Sequence, residues 1–305
     1  MTHRNWLITG VNSGFGRIMT EKLLARGDRV AGTVRDLDAM DDLQRRYCER
    51  LWLAKLDLAD TQAIRGVVDR AYAALGRIDV VVSNAGYGLM GAAEEMTDAE
   101  VRHQIDVNLV GSIQFVRAAL PHLRWQGGGR ILQLSSMGGQ VAFPGGSLYH
   151  ATKWGIEGFL DAVAEEVAPF GIGCTLIEPG GARTDFRRSA RLACEFAAYD
   201  RSPSRMVSRI VADKGQVSPG DPAKMVEAMI ASVDEEPAPR RIALGSDAYR
   251  VMHAQLSARL AALEAQKDLA CATDASTEGD SAAATSWFAA ADPQSTAQVA
   301  LTHDR

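Results

Sequence analysis

Tyr149 and Lys153 stand four positions apart in "SLYHATKWG" (147–155). On a helix that spacing stacks the two side chains on one face, about one turn apart. A phenol beside an ammonium is a proton donor with a charge to tune it. Free tyrosine, with a pKa of about 10, is poorly matched to neutral pH. A unit charge near 4 Å at an effective dielectric of about 20 is worth roughly 4 kcal/mol, enough to bring the phenol into working range. Ser136 lies 13 residues upstream of Tyr149, at the end of the apolar run "RILQLSS" (130–136). The stretch between them, "MGGQVAFPGGSL", is rich in Gly and Pro and reads as a loop that returns the helix start beside the strand end. A hydroxyl, a phenol and an ammonium converging there suit hydride transfer between a nicotinamide and a carbonyl or secondary alcohol. The carbonyl oxygen needs a proton as the hydride arrives, and the alcohol needs a base in reverse. Ser136 would hold the substrate oxygen and stabilise the charge developing on it. His150 adjoins Tyr149 but points about 100° away on a helix; it reads as structural or solvent-facing.

The elements that must position these groups follow from periodicity. Apolar runs recur at 6–9, 29–34, 51–58, 78–86, 130–136, 173–180 and 241–245. They do not alternate with polar residues, which is what a parallel sheet covered on both faces requires. Helix-length segments lie between them at 14–27, 60–75, 97–123, 148–170 and 221–234. In 148–170, Ile156, Phe159, Leu160, Val163 and Val167 form an apolar helical stripe. This alternation predicts an α/β fold, a doubly wound (Rossmann-type) parallel sheet of about seven strands with helices on both faces.

Residues 7–19, "LITGVNSGFGRIM", end a strand, turn on glycines and open a helix. Thr9, Gly10, Gly14 and Gly16 form T-G-x-x-x-G-x-G, which departs from the G-x-G-x-x-G dinucleotide pattern. Glycines permit the tight turn and let backbone N–H groups and the helix start approach a pyrophosphate. At the tip of the second strand, Thr33 and Val34 are followed by Arg35, with Asp36 only after it. A carboxylate there would bond a ribose 2′-hydroxyl, whereas an arginine suits a 2′-phosphate. NADP(H) is therefore favoured, with NAD(H) the alternative.

Composition excludes several classes. A net charge of −5 with no basic stripe argues against a nucleic-acid partner. No run of about 18 apolar residues exists to span a membrane, and "MTHRNWLITG" has no signal-peptide core. The six histidines carry no metal-ligand spacing, so no metal is expected. Cys48, Cys174, Cys194 and Cys271 are scattered without C-x-x-C, which reads as reduced, mostly buried thiols in a cytoplasmic protein.

With these residues in hand, the chain resembles the short-chain dehydrogenase/reductase family, in its compact single-domain branch, over residues 4–246. The carriers are the glycine turn (9–16), "LDL" with Asp57, "SNAG" (83–86), "VNLVG" with Asn108, Ser136, Y-x-x-x-K (149–153) and "PGGART" (179–184). The resemblance implies an NAD(P)-dependent oxidoreductase with Tyr149 as general acid/base and Ser136 as partner of the substrate oxygen. Lys153 would lower the tyrosine pKa and bind the nicotinamide ribose, and Asn108 would hold a water in a proton relay. Cofactor contacts are implied at Gly10, Asn12, Ser13, Gly14, Phe15, Gly16, Arg35, Asp57, Leu58, Asn84, Ala85 and Gly86. Tyr149 and Lys153 join them, with Pro179, Gly180 and Thr184 at the nicotinamide end. Ser83 replaces the family's usual first asparagine, at the cost of a structural hydrogen bond. A homodimer or homotetramer is implied.

The domain is expected to span 1–267, with 186–220 an apolar insertion carrying Phe186, Phe196, Tyr199, Met206, Val207 and Ile210 as a substrate lid. Leu89, Met90, Met137, Val141, Phe143 and Trp154 are expected to complete the wall, favouring a fairly hydrophobic small-molecule carbonyl or alcohol. Arg183, Arg187 and Arg188 offer a greeting for an acidic group instead. In the helix near 247–266, Met252, Leu256, Leu260 and Leu263 share a face that reads as packing. Residues 268–305, poor in large apolar residues, read as a low-complexity, disordered tail, with "SWF" (286–288) a docking point. Two other functions are compatible with parts of this pattern. A sugar-nucleotide epimerase or dehydratase uses the same Tyr/Lys pair but needs a larger C-terminal domain, and a non-catalytic NADP(H)-binding regulator needs only the cofactor site.

Overall fold

Seven apolar runs become seven parallel strands because each must be covered on both faces. In the computed structural model, which describes residues 3–213 and 218–275 apart from the side chains of Arg187 and Arg188, the strands are β1 (Asn5–Thr9), β2 (Arg29–Val34), β3 (Leu51–Lys55), β4 (Val80–Ser83), β5 (Gly129–Leu134), β6 (Ile172–Pro179) and β7 (Arg241–Leu244). They lie in the order β3-β2-β1-β4-β5-β6-β7, with every neighbouring pair parallel. Among the helices are α1 (Gly14–Arg26), α2 (Thr61–Leu75), α3 (Asp98–Ile105), α4 (Gly111–Trp125), α5 (Ser147–Val167), α6 (Pro203–Ala212), α7 (Pro222–Ala231), α8 (Ser246–Glu264) and α9 (Lys267–Ala272).

Side chains alternate across each strand, so the two faces build separate cores. On one face Leu7, Val81, Ile131 and Leu176 pack with Val68 of α2, Phe115 of α4 and Leu160 and Val163 of α5. On the other, Trp6, Ile8, Val82, Leu132 and Ile177 pack with Leu23 of α1 and Val226 and Met229 of α7. The strand order reverses between β1 and β4. The loops leaving those two strands diverge there, and ligands of open α/β sheets bind in the crevice that results.

Some expected bounds shift. β3 ends at Lys55, so Asp57 and Leu58 lie in the following loop; β5 ends at Leu134, so Ser136 caps the short turn Met137–Gly139. The long expected helix 97–123 is three pieces, because a π-turn, Asp106–Val110, joins α3 to α4. Within the insertion, Arg191–Leu192 pairs in parallel with Leu89–Met90 to form a second, two-stranded sheet.

Contacts divide the described residues into two units, one up to Ser257 and one from Ala258 on. In the second unit α9 is helical with exposed side chains, and "SWF" lies outside the described residues. The apolar face near 247–266 corrects the expectation of packing: Met252 is buried, but Leu256, Leu260 and Leu263 are exposed. The cysteines are corrected too. Cys174 is buried between sheet and helices, whereas Cys48, Cys194 and Cys271 are exposed, because they fall in loops or on an outer helix. Among the described residues no helix is long and apolar enough to cross a membrane, and no cluster of ligating side chains could hold a metal.

Candidate active site

The glycine turn is shaped by its bonds to the next strand of the sheet. Thr9 Oγ1 accepts from the backbone N–H groups of Asn84 and Ala85 at 2.9 and 3.0 Å. The Asn84 amide donates to the Thr9 carbonyl at 2.8 Å and to the Gly10 carbonyl at 3.2 Å. Gly10 has φ of 72°, a conformation that costs other residues steric strain. A Cβ on Gly16 would stand 2.2 Å from the Gly10 carbonyl oxygen, so α1 packs this close only with glycine. Among the described residues no side chain caps the first turn of α1. Its unsatisfied N–H groups and positive dipole end therefore suit a diphosphate.

On the other side of the crevice, Lys153 is buried and its Nζ donates to the Leu134 carbonyl at 2.8 Å. This bond fastens α5 to the end of β5, two residues before Ser136. The ammonium lies 5.8 Å from the centroid of the Tyr149 ring. Burial holds Lys153 down to about 8, against the raising pull of the Glu157 carboxylate. Burial pushes the Tyr149 phenol up to about 12, with the Ser136 hydroxyl working against the rise. A lysine charge close to the hydroxyl and a phenol in the neutral range were expected. Desolvation outweighs that effect here, because it penalises the charged form of each group.

Tyr149, Lys153 and Glu157 succeed one another at four-residue intervals along α5. Glu157 is buried and accepts from Ser135 Oγ, from Gln140 Nε2, and from Arg241 at 2.6 Å. It thus holds both ends of the turn that carries Ser136. A Cβ on Gly139 would overlap the Glu157 carboxylate at 1.8 Å. His150 is buried and clasps the next loop: its Nε2 accepts from the Phe143 N–H at 3.0 Å, which leaves Nδ1 protonated to donate to the Gly138 carbonyl at 2.9 Å.

Asn108 sits in the π-turn, fully engaged. Its Oδ1 accepts from the Tyr87 N–H at 3.0 Å, and its Nδ2 donates to the Tyr87 carbonyl at 2.7 Å and to Thr152 Oγ1 at 3.4 Å. Irregular π-turns inside helices often mark functional sites; this one aims an amide at the chain following "SNAG". Ser83 Oγ is buried with no hydrogen-bond partner among the described residues.

These parts enclose a cavity of about 550 Å³. Of the anticipated site residues, Gly10, Asn12, Ser13, Gly14, Phe15, Arg35, Asp57, Leu58, Asn84, Ala85 and Gly86 line it, as do Ser136, Tyr149, Lys153, Pro179, Gly180 and Thr184. Gly16 and Asn108 do not. Gly16 is packed beneath the turn and Asn108 stands behind Tyr87.

The wall is partly as expected. Met90, Met137, Phe143, Phe186 and Val207 line the cavity. Leu89 and Val141 are buried in small clusters behind it, Trp154, Phe196 and Met206 are exposed, and the Tyr199 hydroxyl bonds Glu94 at 2.7 Å. Arg183 is exposed outside the lining. The insertion is anchored by a buried ion pair, Arg205 to Glu95 at 2.8 Å; Glu95 also accepts from the N–H groups of Ala92 and Phe196. Tyr87, His103 and Arg191 line the cavity without having been anticipated. The position of Tyr87 directly after "SNAG" was a usable signal. Nothing in the local sequence of Arg191 marks it.

A family model described as short chain dehydrogenase matches residues 4–195. The chain is 35% identical over 246 residues to an oxidoreductase, BOA17, of Botryotinia fuckeliana, covering 80% of this chain and 89% of that one. It is 31% identical over 241 residues to a 3-ketodihydrosphingosine reductase of Bacteroides thetaiotaomicron, covering 78% and 87%. The crystal structure of a short-chain dehydrogenase from Streptomyces avermitilis superposes with a TM-score of 0.84 at 38% identity, over 90% of this chain and 99% of that one.

Proposed function

The chain belongs to the short-chain dehydrogenase/reductase family, and from that premise we propose that it transfers hydride between NADP(H) and the carbonyl or secondary alcohol of a fairly hydrophobic small molecule. The observation that carries this reading is the meeting of Ser136, Tyr149 and Lys153 with the glycine turn in one cavity. The bound nicotinamide would supply or accept the hydride. Gly10 to Phe15 and the open start of α1 would hold the diphosphate. Arg35, exposed at the tip of β2 with no carboxylate before it, would face the 2′-phosphate, and Asp57 the adenine.

Tyr149 would give its proton to the substrate oxygen. A phenol held up to about 12 is fully protonated at neutral pH, which suits donation to a carbonyl in the reductive direction. Ser136 would orient the same oxygen and stabilise charge on it. Lys153 spends one N–H on Leu134 and keeps the others for the nicotinamide ribose. Asn108, with its side chain committed to Tyr87, would act by placing that segment of the wall. Tyr87, Met90, Phe143, Phe186 and Val207 support an apolar substrate. The relative in Bacteroides named as a ketodihydrosphingosine reductase is in keeping with that.

A panel of ketones and alcohols, followed through the absorbance of the reduced nicotinamide with each cofactor, tests the reading. Turnover of apolar ketones with NADPH is expected. Tight cofactor binding with no turnover across the panel would replace it with the regulatory alternative.

A further inference from the structure

We propose that the substrate carries an anionic group remote from its reacting oxygen, and that Arg191, seated on Tyr87, binds it. This rests on the oxidoreductase reading of the same cavity and adds a substrate class to it.

Arg191 is placed by the backbone. Its N–H donates to the Gly88 carbonyl at 2.8 Å, and Ala193 N–H donates to the Met90 carbonyl at 2.8 Å, so the short strand pairing fixes its direction. Its guanidinium carbon lies over the Tyr87 ring, 5.4 Å from the centroid. The ring is itself held. The Tyr87 hydroxyl meets His103 Nδ1 at 2.7 Å, and the Tyr87 carbonyl takes bonds from Asn108 and Gln104. A guanidinium resting on an aromatic face keeps its in-plane N–H groups free, and that fork matches a carboxylate or phosphate bidentately.

The charge is unpaired, though it is felt by Glu100, whose carboxyl is held below its usual range by bonds from Thr97 and, in smaller part, by Arg191. Among the described residues no carboxylate lies within ion-pair distance of Arg191, whereas Arg17, Arg26, Arg77, Arg130, Arg205 and Arg241 each have one. The lining near it offers Met90, Phe186 and Val207, with no acid among them; the one acidic lining residue, Asp57, follows β3 and belongs to the cofactor side. Arg191 is exposed while lining the cavity, so its backbone placement and its seat on Tyr87, rather than burial, aim its charge at an entering group. A solvated surface arginine merely stacked on a tyrosine would discriminate nothing.

The test uses the full chain with NADPH and three matched probes: an alkyl methyl ketone, the same ketone ending in a carboxylate, and the same ending in a phosphate. Binding is read by calorimetry and turnover by NADPH oxidation. The anionic probes are expected to bind about tenfold tighter than the neutral one, with the advantage shrinking as salt is raised. Arg191→Gln should bring the ratio close to one, and Arg191→Lys should leave an intermediate ratio, with NADPH affinity as the control for folding. Preference for the phosphate over the carboxylate would identify a phosphate-bearing carrier as the source, and the reverse an oxo acid. Equal binding of all probes, no binding of any, or a ratio that survives Arg191→Gln overturns the proposal. An anionic probe that binds through Arg191 but is never reduced leaves the proposal standing and removes the hydride-transfer reading. A neutral ketone that is reduced as well as its anionic partners does the opposite.

Discussion

The Lys153 ammonium donates to the main-chain carbonyl of Leu134 at 2.8 Å. One bond therefore joins the helix that carries Tyr149 to the strand end that leads into Ser136. The two catalytic hydroxyls proposed here come from segments separated by a glycine-rich loop. Their convergence depends on this tie and on Glu157, one turn further along the helix.

Removing the phenol oxygen alone should separate chemistry from binding. Tyr149→Phe is expected to lower kcat by about 10²–10⁴-fold, with NADPH affinity nearly unchanged by fluorescence titration. Turnover at the wild-type rate would take Tyr149 out of the mechanism.

Burial makes the Lys153 charge costly to stability. Its folded pKa of about 8 lies below the ordinary lysine value of 10.5, so at neutral pH the folded state carries a buried ammonium that unfolding would release to water. The penalty is fully present below about pH 8 and disappears as pH rises toward that ordinary value, a span worth on the order of 3 kcal/mol. Lys153→Met should melt a few degrees higher at pH 7 and lose that advantage near pH 10. A variant less stable at pH 7 would contradict this.

At the tip of β2, Arg35→Asp should reverse cofactor preference, because a carboxylate repels a 2′-phosphate and bonds a 2′-hydroxyl. Dissociation constants for NADPH and NADH measured on both proteins settle it. Equal affinities in the wild type would sink the assignment of Arg35.

Glu157→Ala removes a buried carboxylate and unties Ser135 and Gln140, while its partner Arg241, one-third exposed, keeps Asp161 and Glu178. Loss of these bonds costs about 1–3 kcal/mol, which denaturant unfolding would register as a lower midpoint. A change under about 1 kcal/mol would mean the network relaxes around the loss.

The His150 clasp should open in acid. Burial lowers its pKa below the ordinary value, with the bond to the Gly138 carbonyl in partial opposition. The neutral ring is what accepts from Phe143, so its stabilisation is full above about pH 6.5 and is lost as pH falls through the lower folded value. Hydrogen exchange at the Phe143 amide, corrected for the intrinsic rate, should quicken below that range. Protection unchanged to about pH 4 would show the loop is held by other means.

The parts legible in the sequence are those governed by local rules. Seven runs such as "VVVS" and "CTLIEP" read as strands because continuous apolar residues need two covered faces. The turn was legible because Gly10 takes a backbone path few residues tolerate and Gly16 leaves no room for a Cβ. Tyr149 and Lys153 were paired by helical period alone. The interior of the wall was less legible: Leu89 and Val141 are as apolar as Met90 and Phe143, and hydrophobicity does not say which of them meets the cavity. Arg191 had no signal, since its partner Tyr87 lies more than a hundred residues earlier.

By itself, then, the sequence determined the alternation of strand and helix, the glycine turn, and a helix carrying phenol and ammonium on one face. Only the tertiary structure decided that Lys153 spends a proton on Leu134, that Asn108 spends its amide on Tyr87, and that Arg191 stands over that same tyrosine. Backbone propensity and side-chain period act over a few residues. Burial, and the choice of a hydrogen-bond partner across the chain, exist only once distant segments have packed.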